Sequence, residues 1–171
     1  MDGTTKTEIY RDALRELDAV LAGVDDPITV MSTCAAVLHQ RLAYASWTGF
    51  YRVAAPRLLR IGPYQGALGC LEIPFDRGVC GAAARQNATQ IVADVHAFPG
   101  HIACDAAARS EIVVPIHNPQ GELLAVLDID SHQPAAFDER DRAGLERVAE
   151  KLRACLNGNG EVFYREPVPG A

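Results

Sequence analysis

A pair of apolar segments joined by a short turn is the feature that most constrains the fold. Residues 111–117 and 122–131 flank the turn sequence Asn-Pro-Gln-Gly at 118–121, which is typical of a loop between two antiparallel strands. The second segment alternates, so Asp128 and Asp130 share one face of the predicted strand. Two carboxylates at the end of an apolar strand are unfavourable unless water or a cation reaches them. The sequence therefore predicts an antiparallel hairpin that carries two acidic residues on one face.

The rest of the chain predicts helices at both ends and shorter strands between them. Thr4 or Thr5 caps a first helix, Asp26-Pro27 starts a second, and Asp138 caps the last one. The intervening patterns predict a short helix over 79–87 and extended runs at 47–53, around 60–64, at 70–73 and at 89–93. This order predicts an α+β domain with a central, mainly antiparallel sheet of about six strands and the N- and C-terminal helices packed on one face.

The predicted organisation is one domain over 1–157 followed by a tail over 158–171. The length of 171 residues and the hydrophobic content of 49% suit a single domain with its own core. The tail is rich in glycine and proline, so we expect it to be loosely ordered. The terminal helices can pair into a bundle that also serves as a dimer interface, and we therefore expect a homodimer.

Charge and hydropathy exclude several kinds of partner. The formal net charge of −6 argues against nucleic acid and against an anionic membrane surface. No apolar run approaches the roughly 18 residues of a membrane-spanning helix, and the first residues lack the apolar core of a signal peptide. We therefore expect a cytoplasmic protein.

The cysteines are the first indication of chemistry. An odd number, five, in a chain without an export signal makes structural disulfides improbable, so any disulfide is expected to be transient. Cys34 and Cys155 lie on the apolar stripes of predicted helices and are assigned to packing. The other three, Cys70, Cys80 and Cys104, each lie beside glycine or other small residues.

Small neighbours allow a second sulfur to approach each of these three thiols. Cys80 lies in the first turn of the predicted short helix, where backbone N–H groups can stabilise a thiolate or a bound carboxylate. Cys104 follows two histidines and precedes a run of small residues, so it is either a reactive thiol or a small packing residue. The chain has no CxxC motif, and spacing alone leaves both interpretations open.

A zinc site is the alternative use of the same residues. His96, His101 and Cys104, together with Cys70 or Cys80, offer suitable ligand types. The HxxC spacing from His101 to Cys104 has no matching second pair, and singly the histidines are more typical of turns or the surface. We therefore predict no metal.

Three acidic residues complete the candidate site. Glu111 begins the first strand of the hairpin, and pairing across the turn would bring it together with Asp128 and Asp130. Clustered carboxylates raise one another's pKa, so one of them could stay protonated near neutral pH and act as an acid. The same cluster could hold an ammonium group, and the alternative is a solvated strand end.

Five segments, taken in order, are similar to a known family. They read WTGFY, IGPYQG, GVCG, GHIACDAAARSEIVVPI and LDIDS, and they resemble the free methionine-(R)-sulfoxide reductases, which are built on a GAF domain. The resemblance runs from about Ser46 to the final helix, and the chain has Ala108-Arg109 where the family often has Ser-Asn. It implies a GAF-like fold and the reduction of free L-methionine-(R)-S-oxide to L-methionine.

The resemblance also implies roles for the three cysteines. Cys104 is similar to the nucleophile that attacks the sulfoxide sulfur and becomes a sulfenic acid. Cys70 is similar to the resolving thiol that then forms a disulfide with it, and Cys80 to a third cysteine that can also enter disulfides. The family implies no bound cofactor. Thioredoxin would reduce the disulfide by exchange, with electrons from NADPH through thioredoxin reductase.

The remaining candidate residues have a physical reason to take part in this reaction. A carboxyl group with a raised pKa among Glu111, Asp128 and Asp130 could protonate the sulfoxide oxygen, and the remaining negative charge could pair with the substrate ammonium. Trp47 and Tyr51 offer aromatic faces to the S-methyl group, although Trp47 also suits a core position. The alternatives are a GAF domain that senses a small ligand and a redox switch, both without turnover.

Overall fold

The computed structural model describes residues 5–102, 104–156 and 162–164. The described residues form four α-helices and six strands, with a short 3₁₀ turn at Val95–Ala97. The helices are α1 (Lys6–Val20), α2 (Pro27–Arg41), α3 (Gly78–Gln86) and α4 (Glu139–Cys155). The strands are β1 (Trp47–Ala55), β2 (Leu58–Gln65), β3 (Glu72–Pro74), β4 (Gln90–Val92), β5 (Ser110–His117) and β6 (Leu123–Ser131).

The six strands form one sheet in the order β3-β2-β1-β6-β5-β4, and every neighbouring pair is antiparallel. The predicted hairpin is its β5–β6 pair, in which Ser110 lies opposite Ser131 and Ile116 opposite Ala125. Both the predicted hairpin and the predicted α+β fold with six strands are confirmed.

The first face of the sheet carries the main core and the terminal helices. Leu38 of α2 and Leu145 of α4 are fully buried there against Phe50 and Leu127 of the sheet. At the contact between α1 and α4, the buried Asp141 carboxylate accepts a hydrogen bond from the Tyr10 hydroxyl at 2.9 Å. The terminal helices therefore pack together on one face, as predicted. The two cysteines assigned to packing also belong to this core: Cys34 within it and Cys155 at its edge.

The opposite face of the sheet is covered by α3. The sequence predicted this short helix but did not predict which face of the sheet it covers. The helix reads GVCGAAARQ, and its small side chains let it lie close to the sheet. Its residues Val79, Cys80 and Ala83 pack with Val113 and Val126 in a second, smaller core. This second core contains the candidate site.

Two expectations about chain segments are corrected by the structure. Cys70 lies in the loop before β3 and not within the strand predicted over 70–73, because the register with β2 begins at Glu72. The expected loose order of the tail is wrong for 162–164, where the Tyr164 N–H donates to the Val53 carbonyl oxygen at 2.8 Å and Phe163 is buried. The other residues of the predicted 158–171 tail lie outside the described part, and the boundary at 157 stays a prediction.

None of the described helices is both long enough and apolar enough to span a membrane.

We expect Gly49→Ala to lower the free energy of unfolding by about 1–3 kcal/mol, the usual effect of overpacking a core. An added Cβ would lie 2.3 Å from the Tyr64 Cβ and 2.7 Å from the Trp47 ring, and β1 and β2 would have to separate. Urea denaturation measures the change. Gly62→Ala on β2 is the control, since its Cβ would meet its nearest atom, the Phe50 carbonyl oxygen, at 3.1 Å and should cost less. A Gly49 variant as stable as the wild type would contradict this packing.

Candidate active site

A cavity on the α3 side of the sheet gathers the residues that the sequence singled out. Its walls come from β1, β3, the start of β5, the end of β6, the start of α3, and the loops around 68–69 and 101–108. The predicted site residues that line it are Trp47, Tyr51, Cys80, Cys104, Glu111, Asp128 and Asp130. Cys70 joins them from the neighbouring loop through its bond to Cys104.

A disulfide between Cys70 and Cys104 lies at this cavity. The two Cα atoms are 5.2 Å apart, across 34 positions of sequence, and both residues are half-buried. It is the pairing that the family resemblance implies. Cys80 is free and buried, as is Cys34, while Cys155 is free and half-buried. The sulfur atoms of Cys70 and Cys104 are therefore in the oxidised, disulfide state.

Three contacts fix the loop that carries Cys104. The Asp105 carboxylate is 2.9 Å from the His132 Nε2 and accepts a hydrogen bond from the Ala107 N–H at 2.8 Å, and both bonds lower its pKa. The Gly78 N–H at the start of α3 donates to the Gly100 carbonyl oxygen at 2.9 Å. His132 was not among the candidate residues of the sequence, and the structure places it as a support for this loop. Its position next to the LDIDS segment was the only signal that could have indicated this.

The three candidate carboxylates lie together as the strand pairing predicted. In the β5–β6 register Glu111 faces Asp130, and Val113 faces Asp128. Glu111 is 7% exposed and Asp128 5% exposed, whereas Asp130 is half-buried. The interpretation as a solvated strand end is therefore wrong for Glu111 and Asp128.

Burial and mutual repulsion keep this trio partly protonated. Burial raises the pKa of Asp128 to about 7. The pKa of Glu111 lies well above its ordinary value, first because of burial and then because of the charges on Asp128 and Asp130. Burial and Asp128 also raise the pKa of Asp130 well above its ordinary value. At neutral pH the cavity can thus supply a proton and a negative charge from neighbouring groups.

Cys80 remains a thiol, so of the two anions that the helix start could stabilise, a thiolate and a bound carboxylate, the thiolate is disfavoured. Burial raises its pKa well above the ordinary value, and the charges of Asp128 and Glu111 raise it further. Its Sγ donates to the Glu111 Oε1 at 3.9 Å. The backbone N–H groups of α3 cannot offset two carboxylates beside a thiol that is only 3% exposed.

One acceptor in the cavity lacks a donor. The Asp128 Oδ1 atom is buried and finds no hydrogen-bond partner among the described residues. A buried acceptor without a partner is unfavourable and marks a position where a ligand's donor would be stabilised. Asp128 also lies opposite Gly49 in the β1–β6 register. Because glycine has no side chain, the neighbouring strand leaves space beside the Asp128 carboxyl group.

Trp47 and Tyr51 form the aromatic wall of the cavity, and Tyr64 stacks on Trp47 outside the cavity lining. Trp47 lies against Tyr51 at a centroid distance of 5.7 Å and against Tyr64 at 5.2 Å, and both pairs are nearly parallel. The Trp47 Nε1–H donates to the Ala67 carbonyl oxygen at 3.0 Å. Trp47 therefore belongs both to the second core and to the cavity wall. The sequence had suggested a core position and a substrate-binding position as alternatives. The sequence missed Tyr64, although it lies within the IGPYQG segment.

The zinc arrangement considered from the sequence is not formed by the described residues. The described residues that lie close enough together to hold a metal ion are instead Cys80, Glu111 and Asp128, whose donor atoms lie within 4.8 Å of one another. The His96 and His101 rings instead pack edge to face at 6.0 Å. His101 lines the cavity, and burial and the neighbouring His96 lower its pKa.

The comparisons with known proteins agree with this geometry. Residues 11–157 match the family model of the GAF domain. The free methionine-R-sulfoxide reductase of Escherichia coli is 41% identical over 151 residues, which are 88% of this chain and 90% of that protein. The enzyme of the same name from Saccharomyces cerevisiae is 37% identical over 158 residues, with 88% of each chain covered.

A solved structure is similar to this chain in both fold and sequence. The free methionine-R-sulfoxide reductase of Neisseria meningitidis, solved in complex with its substrate, superposes with a TM-score of 0.84 at 41% identity. The match covers 88% of this chain and 90% of that chain. This chain therefore belongs to the GAF-domain family of free methionine-R-sulfoxide reductases, which are oxidoreductases.

Proposed function

We propose that this chain reduces free L-methionine-(R)-S-oxide to L-methionine. The observation that carries the proposal is the cavity itself, where the Cys70–Cys104 disulfide adjoins buried carboxyl groups with raised pKa values. Sulfoxide reduction needs a sulfur nucleophile and a proton for the departing oxygen. Residues that could supply both, Cys104 and the carboxyl groups, line the same cavity.

In the first step the thiolate of Cys104 attacks the sulfoxide sulfur. Glu111 donates its proton to the sulfoxide oxygen, the oxygen passes to the Cys104 sulfur, and methionine leaves. Cys104 is oxidised by two electrons to a sulfenic acid, and the substrate is reduced by two. Glu111 suits the donor role because its raised pKa keeps it protonated, and the Cys80 thiol, 3.9 Å away, helps to orient it.

In the second step the Cys70 sulfur attacks the sulfenic sulfur, water leaves, and the disulfide forms. Thioredoxin then returns the two electrons by thiol–disulfide exchange and is itself reduced by NADPH through thioredoxin reductase. No other cofactor is needed in this scheme. The half-buried position of both cysteines leaves their bond accessible to an external thiol.

Substrate recognition is assigned to the charged and aromatic walls. The ammonium group of the free amino acid pairs with Asp128 and Asp130, and the unpartnered Asp128 Oδ1 accepts one of its hydrogens. Trp47 and Tyr51 contact the S-methyl group, and the backbone N–H groups at the start of α3 receive the carboxylate. A peptide-bound methionine sulfoxide has no ammonium group at this position and should be rejected.

The setting of the reaction follows from its reductant. We place the chain in the cytoplasm, where thioredoxin keeps thiols reduced, and infer a role in the repair of oxidised methionine. We also infer a homodimer joined through the terminal helices, whose mass is measurable by analytical ultracentrifugation.

A thioredoxin-coupled assay tests the proposed function. We expect NADPH consumption with free L-methionine-(R)-S-oxide and only background rates with the free S form or a peptide-bound R form. The readout is absorbance at fixed thioredoxin and thioredoxin reductase, with methionine quantified as product. Binding of the free sulfoxide without any methionine would favour the ligand-sensing alternative and overturn the proposal.

A further inference from the structure

Two leucines beside the disulfide are unusually exposed. Leu68 is 84% exposed and Leu71 is 72% exposed, and they flank Cys70 in the chain. The other exposed large apolar side chains of the described residues, Val20 and Ile28, reach 51% and 44%. Single exposed apolar residues are ordinary on protein surfaces, but two of them beside one disulfide form a candidate contact site. We call Leu68 and Leu71 the leucine pair.

The backbone of this loop is anchored, so the leucine pair is held outward. The Ala67 carbonyl oxygen accepts from the Trp47 Nε1–H at 3.0 Å, and the Leu71 carbonyl oxygen accepts from the Ile61 N–H at 3.0 Å. Between them Gly69 lies so close to Tyr51 that an added Cβ would be 2.9 Å from its hydroxyl. These three contacts hold the backbone at Ala67, Gly69 and Leu71 against the rest of the domain. Turning both leucine side chains toward the domain would break them.

We propose that the leucine pair is the docking surface for the dithiol protein that reduces the disulfide, and that this protein attacks the Cys70 sulfur. The inference rests on the proposed function in one respect, namely that the disulfide is recycled by a protein dithiol. An external thiolate must come within bonding distance of a sulfur that is half-buried, so the surface around that sulfur must contact the partner. A few side chains near the centre of such a contact contribute most of its stability, and the leucine pair lies next to the sulfur that the partner must reach.

The chemical step is balanced by the partner's two thiols. The first thiolate of the reductant bonds to the Cys70 sulfur, the Cys70–Cys104 bond breaks, and Cys104 leaves as a thiolate. The second thiol of the reductant, after losing its proton, attacks the reductant's own sulfur in the mixed disulfide and releases Cys70 as a thiolate, which takes up a proton. Two electrons pass from the reductant to the chain. Attack at Cys70 leaves the proposed nucleophile in its reactive form.

The test is the rate at which thioredoxin reduces the purified oxidised protein without any sulfoxide. We expect Leu71→Ser to lower this second-order rate constant about tenfold, the effect of losing a central apolar contact. The rate constant with dithiothreitol should stay unchanged, because a small thiol needs no docking surface. Leu71 is the residue to change, since Leu68 also lines the cavity. Ile28→Ser, an exposed apolar position elsewhere, is the matched control and should leave both rate constants unchanged.

A thioredoxin variant with only its attacking cysteine identifies the sulfur. Mixed with the oxidised protein, it should form a mixed disulfide that peptide mapping by mass spectrometry places on Cys70. A bond on Cys104 would overturn the proposal, as would equal loss of the thioredoxin and dithiothreitol rates in Leu71→Ser or no loss of either. Because no sulfoxide is present, these outcomes are independent of whether the protein reduces methionine sulfoxide, which the coupled assay decides.

Discussion

Replacing Cys104 with serine should abolish methionine formation even in a single turnover. A serine hydroxyl does not attack sulfoxide sulfur at neutral pH, and its oxygen cannot take the place of the sulfenic acid. Cys70→Ser should still form about one equivalent of methionine per reduced chain, because attack on the substrate precedes the resolving step. It should then stop, since no disulfide forms for thioredoxin to reduce. Rapid mixing of reduced protein with the sulfoxide and quantification of methionine checks both variants.

The matched control for this pair is Cys155→Ser, a free and half-buried cysteine at the end of α4 and away from the cavity. Its single-turnover and steady-state rates should equal those of the wild type. A Cys104 variant that still forms one equivalent of methionine would transfer the nucleophile's role to another thiol. The buried thiol of Cys80 is the remaining candidate in the cavity, and its raised pKa makes it a poor one.

The fold was predictable wherever a local pattern recurs over several residues. The alternation in LLAVLDIDS puts Val126 in the core under α3 and Leu127 in the core under the terminal helices, as observed. The helix starts were predictable for the same reason, because Thr5, Asp26 and Asp138 each accept a backbone N–H bond at the first turn. The acidic trio was predictable because antiparallel pairing across a short loop fixes which residues face each other.

What the sequence could not give depends on contacts between distant segments. Cys80 stays protonated first because the fold buries it and then because of the charges on Asp128 and Glu111, which lie 48 and 31 positions along the chain. Its place at a helix start, which is all that the local sequence shows, favours the thiolate instead. The support of Asp105 by His132 and the docking of Phe163 near β1 likewise join segments with no local pattern in common. Such contacts become visible only when the sheet order is known.

Glu111→Gln should lower kcat about 10²–10⁴-fold, the usual contribution of a general acid. Glutamine keeps the size and the hydrogen-bonding capacity of the side chain but cannot give a proton to the sulfoxide oxygen. In the wild type the acid must be protonated, so kcat should fall as pH rises through the raised pKa of the trio. The Gln variant should lose this high-pH limb, because the proton donor whose ionisation slows the reaction is gone, although Asp128 and Asp130 still titrate. Single-turnover rates from pH 5 to pH 9, a range spanning the value of about 7 for Asp128, measure it.

Asp128→Asn is the control that separates the two proposed roles of the trio. It removes the charge assigned to the substrate ammonium and relieves the repulsion that raises the pKa of Glu111. We therefore expect mainly a higher KM, and a high-pH limb that persists but moves to lower pH. A flat wild-type profile above neutral pH, or a Gln variant with the same limb, would remove the general-acid role from Glu111. Loss of kcat alone in the Asn variant would assign that role to Asp128, whose unpartnered Oδ1 faces the same space.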